Sequence, residues 1–196
     1  EQLYKRSLEI KEKILGQEHP DVATILNNLA YLYDKEGRYA EAERLHKRSL
    51  AIREKILGPE NIDVAGSLGN LGLLYHKQGR YAEAERLYKR SLAIREKILG
   101  QEHPDVALIL HNLASLYIDL GRYAEGERLI QKSLVIKEKI LGPEHPDVAM
   151  SLNNFASLYL DQGRYAEAER LHKRSLAIRE KILGPEHPNV AMSLNN

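Results

Sequence analysis

Cysteine is absent from this chain of 196 residues. Disulfide bonds, thiolate metal sites and cysteine redox chemistry are therefore excluded, and the composition suits a reducing compartment, with the cytoplasm as the default expectation. No apolar run approaches the roughly 20 residues that a membrane-spanning helix needs, and the N-terminal segment lacks the short apolar core of a signal peptide. We therefore expect no membrane partner.

An excess of charge of one sign is also missing. The chain has 29 Lys and Arg against 28 Asp and Glu, a formal net charge of +1. So balanced a chain produces no strong field that would attract nucleic acid or an anionic membrane. Nucleic acid is therefore not an expected partner.

What the sequence has instead is repetition. The motif Gly-Arg-Tyr-Ala-Glu recurs every 42 residues, at Gly37, Gly79, Gly121 and Gly163. A period between roughly 20 and 50 residues is typical of arrays in which each unit buries its apolar face against its neighbours. The predicted parts are a partial helix B over 1–15, full repeats over about 20–58, 62–100, 104–142 and 146–184, and a partial helix A over 188–196. Because no initiator Met precedes Glu1, we expect a fragment of a longer protein.

Each repeat is predicted to contain two helices, A and B. In helix A of the first full repeat the apolar stripe comprises Val22, Leu26, Leu29, Ala30 and Tyr33. In helix B it comprises Tyr39, Ala42, Leu45, Ser49, Ile52 and Ile56. Spacings of three and four residues place each set on one helix face. A short connection makes the two helices antiparallel, and small residues at Ala30 and Ala42 allow them to approach closely.

The pattern of Ala30, Gly37, Tyr39 and Ala42 resembles the signature of the tetratricopeptide repeat. The longer motifs His-Pro-Asp-Val-Ala, Leu-Asn-Asn-Leu-Ala and Ala-Ile-Arg-Glu-Lys-Ile-Leu-Gly are similar to the repeats of kinesin light chains and their bacterial relatives. The resemblance covers residues 1–196 and implies a single all-α array, a right-handed α-solenoid of antiparallel helix pairs. It also implies a protein-interaction module that holds a peptide or partner segment in a concave groove lined by the A helices.

Helix B barely changes between repeats, whereas five positions of helix A vary, and we call these positions the A-helix stripe. The stripe comprises Thr24, Asn27, Tyr31, Asp34 and Lys35, then Gly66, Gly69, Leu73, His76 and Lys77, then Leu108, His111, Ser115, Ile118 and Asp119, then Met150, Asn153, Ser157, Leu160 and Asp161. Their spacing places them on one face, interpreted as lying outside the repeat core. By the resemblance, this face is the inner wall of the groove.

Apolar residues on the stripe form a candidate contact patch, because exposed apolar surface often marks an interaction site. They are Leu73, Leu108, Ile118, Met150 and Leu160. The alternative is that neighbouring helices partly cover them. In kinesin light chains the groove receives aromatic-acidic motifs with the help of basic residues. Only Lys35 and Lys77 are basic here, against Asp34, Asp119 and Asp161, so a preference for acidic peptides is not expected.

An asparagine recurs beside the stripe at one unchanging position: Asn28, Asn70, Asn112, Asn154 and Asn196. Its amide can grip an extended peptide backbone, or it can form a structural bond between adjacent A helices. Both hypotheses stay open. The candidate ligand-binding residues are therefore Asn27, Asn28, Tyr31, Lys35, Asn70, Leu73, His76, Lys77, Leu108, His111, Asn112, Ser115, Ile118, Met150, Asn153, Asn154, Ser157 and Leu160.

Histidines do not predict a metal site or a catalytic site. Those before Pro, at His19, His103, His145 and His187, lie about one repeat apart, so they cannot converge on one ion and are interpreted as helix-entry residues. His46 and His172 are interpreted as packing residues. His76 and His111 on the stripe either contact a ligand or are isolated exposed side chains. No phosphate loop or catalytic triad is visible, and Glu-x-Glu is interpreted as a solvated face.

The leading hypothesis is thus a non-enzymatic interaction module without metal or cofactor. The alternative is a structural array that associates head to tail through its incomplete ends, and an attached enzyme could exist only in a longer parent protein. A weak point is expected in helix A of the second repeat. Its glycines, Gly66, Gly69 and Gly72, each cost about 1 kcal/mol relative to Ala in a helix interior, so this helix should open first.

Overall fold

The structure, a computed structural model, describes residues 1–184, 186–187 and 190. These residues form nine α-helices and no strand, which confirms the all-α class. The helices are α1 Gln2–Leu15, α2 Pro20–Lys35, α3 Tyr39–Leu57, α4 Ile62–Lys77, α5 Tyr81–Leu99, α6 Pro104–Asp119, α7 Tyr123–Leu141, α8 Pro146–Asp161 and α9 Tyr165–Leu183. The even-numbered helices are A helices and α3, α5, α7 and α9 are B helices.

The chain divides into two compact units. The first unit, Glu1–Gln101, contains α1 to α5, and the second unit, Glu102–Asn196, contains α6 to α9. That the whole chain forms one continuous array stays a prediction. The predicted partial helix A over 188–196 lies outside the described residues except for Val190. The head-to-tail association that would use it also stays a prediction.

Every A helix begins with a side-chain cap. Nδ1 of His19, His103 and His145 accepts a hydrogen bond from the backbone N–H two residues later, at 3.1 Å in each case. Asn61, which replaces histidine before α4, accepts the same bond through its side-chain oxygen at 2.8 Å. These bonds satisfy a backbone donor that the helix itself cannot satisfy. The interpretation of these three histidines as helix-entry residues is confirmed.

The turn from helix A to helix B depends on a glycine. Gly37 has φ 75°, a left-handed conformation that side chains with a Cβ rarely adopt. The following N–H, that of Arg38, donates to the carbonyl of Tyr33 at 2.8 Å and closes the turn. The chain therefore reverses within three residues, and α3 returns along α2.

Alanines and a buried serine hold the two helices of a repeat together. Ala30 and Ala42 are both 0% exposed, as expected for helices in close approach. Ser49 Oγ donates to the carbonyl of Ala23 at 2.7 Å. The same 2.7 Å bond recurs in the other repeats, from Ser91 to Ala65, Ser133 to Ala107 and Ser175 to Ala149. The buried bond fixes how far one helix is shifted along the other.

The predicted core stripe is correct on helix A and partly wrong on helix B. All five predicted positions of α2 are buried. On α3 the four central positions are buried, but Tyr39 and Ile56 are exposed. They lie at the two ends of a helix of 19 residues, which extends past its 16-residue partner. Periodicity assigned the right face but not the limits of the covering helix.

A cluster of Tyr, Arg and Glu links consecutive repeats within each unit. In the first unit the Arg80 guanidinium stacks on the Tyr75 ring at 3.8 Å from the centroid, and both groups bond to Glu43, at 2.7 and 3.0 Å. In the second unit the equivalent cluster comprises Tyr159, Arg164 and Glu127. The interpretation of Glu-x-Glu as a solvated face is therefore wrong for its second glutamate, which joins helix B to the next repeat.

Gly72 makes room for an aromatic ring of the facing helix. A Cβ added at Gly72 would lie 2.9 Å from two carbons of Tyr88, which is completely buried. A Cβ added at Gly66 on the same helix would have nothing within 4 Å. Gly72 therefore has a packing role that its low helix propensity does not reveal. That α4 opens before the other A helices stays a prediction.

These two glycines should respond to alanine in opposite directions. We expect Gly72→Ala to lower the free energy of unfolding by about 1–3 kcal/mol through overpacking against Tyr88, despite the gain in helix propensity. The control Gly66→Ala should raise it by up to about 1 kcal/mol. Urea unfolding followed by circular dichroism measures both. Equal stabilisation by the two substitutions would contradict the packing role of Gly72.

Candidate binding surface

The A-helix stripe is less exposed than the sequence predicted. Tyr31, Leu108 and Met150 are exposed, with 50% and 51% exposure for the last two. Asp34, in contrast, is only 7% exposed and forms an ion pair with Lys77 at 2.5 Å between α2 and α4, and Gly69 is also buried. The interpretation that the whole stripe lies outside the core is therefore wrong, because parts of it pack against the neighbouring helices.

The second stripe position packs against helix B of its own repeat. Asn27 Oδ1 lies 3.0 Å from His46 Nδ1 and also accepts from Asn70 Nδ2 at 3.1 Å. Because this oxygen is an acceptor, His46 Nδ1 carries the proton and donates. His46 is buried, so the interpretation of it as a packing residue is confirmed. In the second unit, His172 Nδ1 and Asn153 Oδ1 face each other at 3.0 Å in the same way.

The residues at these two facing positions change together from repeat to repeat. The pairs are Asn27 with His46, Gly69 with Tyr88, His111 with Ile130 and Asn153 with His172. Asparagine accompanies histidine because the two form a hydrogen bond, and glycine accompanies the larger tyrosine. Some of the variation on the stripe is therefore compensation inside the repeat and not adaptation to a ligand. The matched changes, visible in the sequence at a separation of 19 residues, were the missed signal.

The asparagine beside the stripe bridges adjacent A helices. Asn70 donates to Asn27 on the preceding A helix, and Asn154 Nδ2 lies 3.5 Å from His111 Nε2 in the second unit. Asn28 is exposed, Asn112 is half-buried and Asn196 lies outside the described residues. The structural bond is thus present, with a stripe residue as the partner. A role of these amides toward a ligand stays a prediction.

In the first unit the remaining stripe residues are polar or aromatic. The Lys35 ammonium lies 5.2 Å from the Tyr31 ring centroid. His76 is half-buried and contacts the rings of Tyr81 and Tyr88 edge-on, at centroid distances of 5.9 and 6.4 Å. The expectation of an isolated exposed histidine is therefore wrong for His76, which packs between aromatic rings. Leu73 is half-buried.

In the second unit two cavities open along the stripe. The first, which we call the His111 cavity, has a volume of about 310 Å³ and is lined by His111, Ser115, Ile118, Ile130, Asn154 and Ser157. His111 Nδ1 is buried without a hydrogen-bond partner among the described residues. Burial, together with the positive charge of Lys137, lowers the pKa of His111. This imidazole is therefore neutral at pH 7 and available for a hydrogen bond.

The second space, which we call the Leu108 cavity, has a volume of about 330 Å³ and lies among α6, the end of α7 and the start of α8. Its lining residues are Pro104, Asp105, Leu108, Lys137, Ile140, Leu141, Asp147 and Met150. Lys137 Nζ donates to Ser151 Oγ at 2.8 Å, and burial lowers the pKa of Lys137 against the attraction of Asp147. The cavity has apolar walls with a few charged groups, as ligand sites commonly do.

The equivalent place in the first unit is closed by polar groups. Thr24 and Gly66 stand 84 residues before Leu108 and Met150, and Arg53 stands 84 residues before Lys137. The Arg53 guanidinium donates to Thr24 Oγ1 at 3.2 Å and to Ser67 Oγ at 2.8 Å. It thus crosses between α2 and α4, where the second unit has open apolar space.

Ile118 does not belong to the exposed patch that the sequence predicted. It is half-buried and packs against the core of the second unit. A Cβ added at Gly126 of α7 would lie 3.0 Å from Ile118 Cγ1, so the glycine makes room for this side chain. Leu108, Met150 and Leu160 remain as the exposed apolar stripe residues of this unit.

Other kinds of site were sought in the described part of the chain. No group of three or more His, Asp or Glu there is arranged to hold a metal ion. None of its helices is both long enough and apolar enough to cross a membrane.

Comparison with known proteins gives a consistent family. The tetratricopeptide repeat model matches residues 1–55, 21–97, 63–125, 105–181 and 148–196. Among solved structures, BtubC (BKLC) from P. vanneervenii is similar with a TM-score of 0.82 and 25% identity, over 96% of this chain and 74% of that one. No match was found among curated proteins.

Nearly identical TPR-like repeats of a candidate kinesin light chain from Podosopora anserina are similar as well. Two structures of it have TM-scores of 0.78 and 0.76, each at 31% identity. The first covers 92% of this chain and 85% of that one, and the second covers 93% and 86%.

The chain therefore belongs to the tetratricopeptide repeat family. Its 42-residue repeats are of the kinesin light chain-like type, and its fold is the all-α repeat solenoid that the sequence predicted. Tetratricopeptide repeats are generally protein-interaction scaffolds and are typically non-enzymatic.

The buried His46 should make stability depend on pH. Burial lowers its pKa from 6.5 to about 4, although Asp34 opposes the change. Between these values the unfolded chain binds a proton that the folded chain does not, so stability falls as the pH falls through this range. We expect this residue to remove on the order of 3 kcal/mol of unfolding free energy between pH about 7 and about 4.

Two variants isolate this contribution in urea unfolding at several pH values. His46→Ile carries the residue that the third repeat has at Ile130, and its unfolding free energy should fall less steeply with acid than that of the parent. The control, His145→Asn, removes a surface histidine but keeps the cap type of Asn61, and should fall in parallel with the parent. Equal slopes for the parent and His46→Ile would show that His46 does not produce the effect.

Proposed function

We propose that this chain is a peptide-binding module that uses the A-helix stripe of its second unit. The Leu108 cavity carries the proposal. Leu108 and Met150 are half exposed on adjacent A helices, and the space beside them is of the size that small ligand groups occupy. A large apolar side chain of a partner segment would fill this space and remove both residues from water.

Comparison of the two units supports this proposal. The fold needs neither Leu108 nor Met150, because Thr24 and Gly66 occupy the equivalent positions in a repeat with the same helices and the same buried serine bond. An exposed leucine and methionine that packing does not require are therefore better explained by contact with a partner.

We further propose that the module has no catalytic role. The histidines that could perform chemistry are occupied elsewhere, since His19, His103 and His145 cap helices and His46 bonds inside the repeat. The absence of cysteine is compatible with a reducing compartment, and we propose the cytoplasm as its location.

The test begins with an unbiased peptide-display selection against the full chain. Affinities of the selected peptides are then measured by fluorescence anisotropy. Leu108→Thr introduces the residue of the first unit, and Met150→Ala removes a side chain without adding a helix-interior glycine. If both residues are buried by the peptide, the double variant should bind about tenfold or more weakly, because anchors at interfaces contribute more than about 1 kcal/mol each.

A matched control is available on the other helix surface. Val135 is 56% exposed on α7, so Val135→Thr changes an equally exposed apolar residue outside the stripe. It should leave the affinity unchanged, as should Lys173→Ala on α9. If Val135→Thr weakens binding as much as the double variant does, the proposed surface is wrong. Circular dichroism of each variant confirms that the helices are intact.

A further inference from the structure

The two units carry opposite charges at the same end of the stripe. In the first unit the last turns of α2 and α4 contain Lys35 and Lys77. In the second unit Asp119 and Asp161 stand at the equivalent positions, and the last turns of α6 and α8, both fully described, contain no basic residue. Both aspartates are exposed.

An aspartate at a helix C-terminus is electrostatically unfavourable. The carbonyl groups at that end carry a partial negative charge, which lysine relieves and aspartate reinforces. In the first unit Lys77 meets this requirement and also pairs with Asp34, but the second unit has the apolar Ile118 where the first has Asp34. The ends of α6 and α8 therefore present a negative potential that a cation from outside the chain would neutralise.

The Leu108 cavity and this negative end lie on the same helix face. Leu108 and Asp119 are 11 residues apart on α6, which is about 16 Å along the axis. An extended peptide advances about 3.3 Å per residue, so about five residues span this distance. The His111 cavity lies between the two points and offers His111, Ser115 and Asn154 to the backbone of such a segment.

We infer that the second unit selects an extended segment with a large apolar side chain and, about five residues away, a lysine or arginine. The inference rests on the proposed function and specifies its ligand. The apolar side chain enters the Leu108 cavity, and the basic side chain reaches Asp119 and Asp161. Aspartates Asp105 and Asp147 at the rim of the cavity add to the negative field and disfavour an acidic segment.

The experiment uses the full chain and a displayed library of nine-residue peptides. Each peptide has one fixed leucine, and the other positions are randomised. Peptides captured at low ionic strength are sequenced, and the ratio of Lys and Arg to Asp and Glu is determined at every distance from the leucine. We expect this ratio to rise about threefold or more near the fifth position on one side, and to decrease in 0.3 M salt, where exposed charges are screened.

A charge-exchange variant makes the test specific. Asp119→Lys with Asp161→Lys introduces the lysines of the first unit, and it should invert the preference to Asp and Glu at the same position. Asp119→Asn with Asp161→Asn should abolish the preference without inverting it. The helices of both variants are checked by circular dichroism, and the neutral pair serves if the lysine pair does not fold.

The possible failures are distinguishable. If capture depends on the leucine and is lost in Leu108→Thr, but no charge preference appears or the aspartate variants do not change it, the charge inference is overturned and the proposed function stands. If no captured peptide depends on Leu108, both the proposed function and this inference are overturned.

Discussion

The close approach of helix A to helix B within each repeat is the constraint on which the rest of the structure depends. The contact is made by residues without bulk, such as Ala30 and Ala42, which are completely buried. At so short a distance between helices, an extra carbon on one side must be matched by its absence on the other. Gly72 faces Tyr88 and Gly126 faces Ile118 for this reason. The repeats tolerate differences only in complementary pairs.

This constraint separates two kinds of variation on the A-helix stripe. Differences at Asn27, Gly69, His111 and Asn153 follow the facing residue of helix B and therefore reflect packing. Differences at Leu108, Met150, Asp119 and Asp161 are on exposed side chains, for which the facing helix sets no requirement. Only the second kind supports an argument about ligands. Variation along a repeat array indicates a binding surface after the compensating pairs have been removed from it.

The sequence predicted the helices and the family well because both are encoded locally. The 42-residue period, the residues before each A helix and the glycine of each turn are sufficient for that purpose. The sequence predicted burial less well, because a hydrophobic period indicates a face but not how far a neighbouring helix covers it. Tyr39 and Ile56 were assigned to the core for this reason, and Asp34 and Ile118 to the open surface. The Leu108 cavity was missed in part because Lys137 and Ile140 come from the end of another helix.

The division of roles between fixed and variable positions has a physical consequence for recognition. The serine bonds, the alanine contacts and the Tyr–Arg–Glu clusters are the same in both units, so they supply stability without using the exposed stripe. The stripe can then differ in chemistry at no cost to the fold. In the first unit it carries Tyr31 with Lys35, and in the second it has an apolar cavity with aspartates beyond it. Two units with one architecture can thus select segments of opposite charge, because the residues that bind are not the residues that hold the helices together.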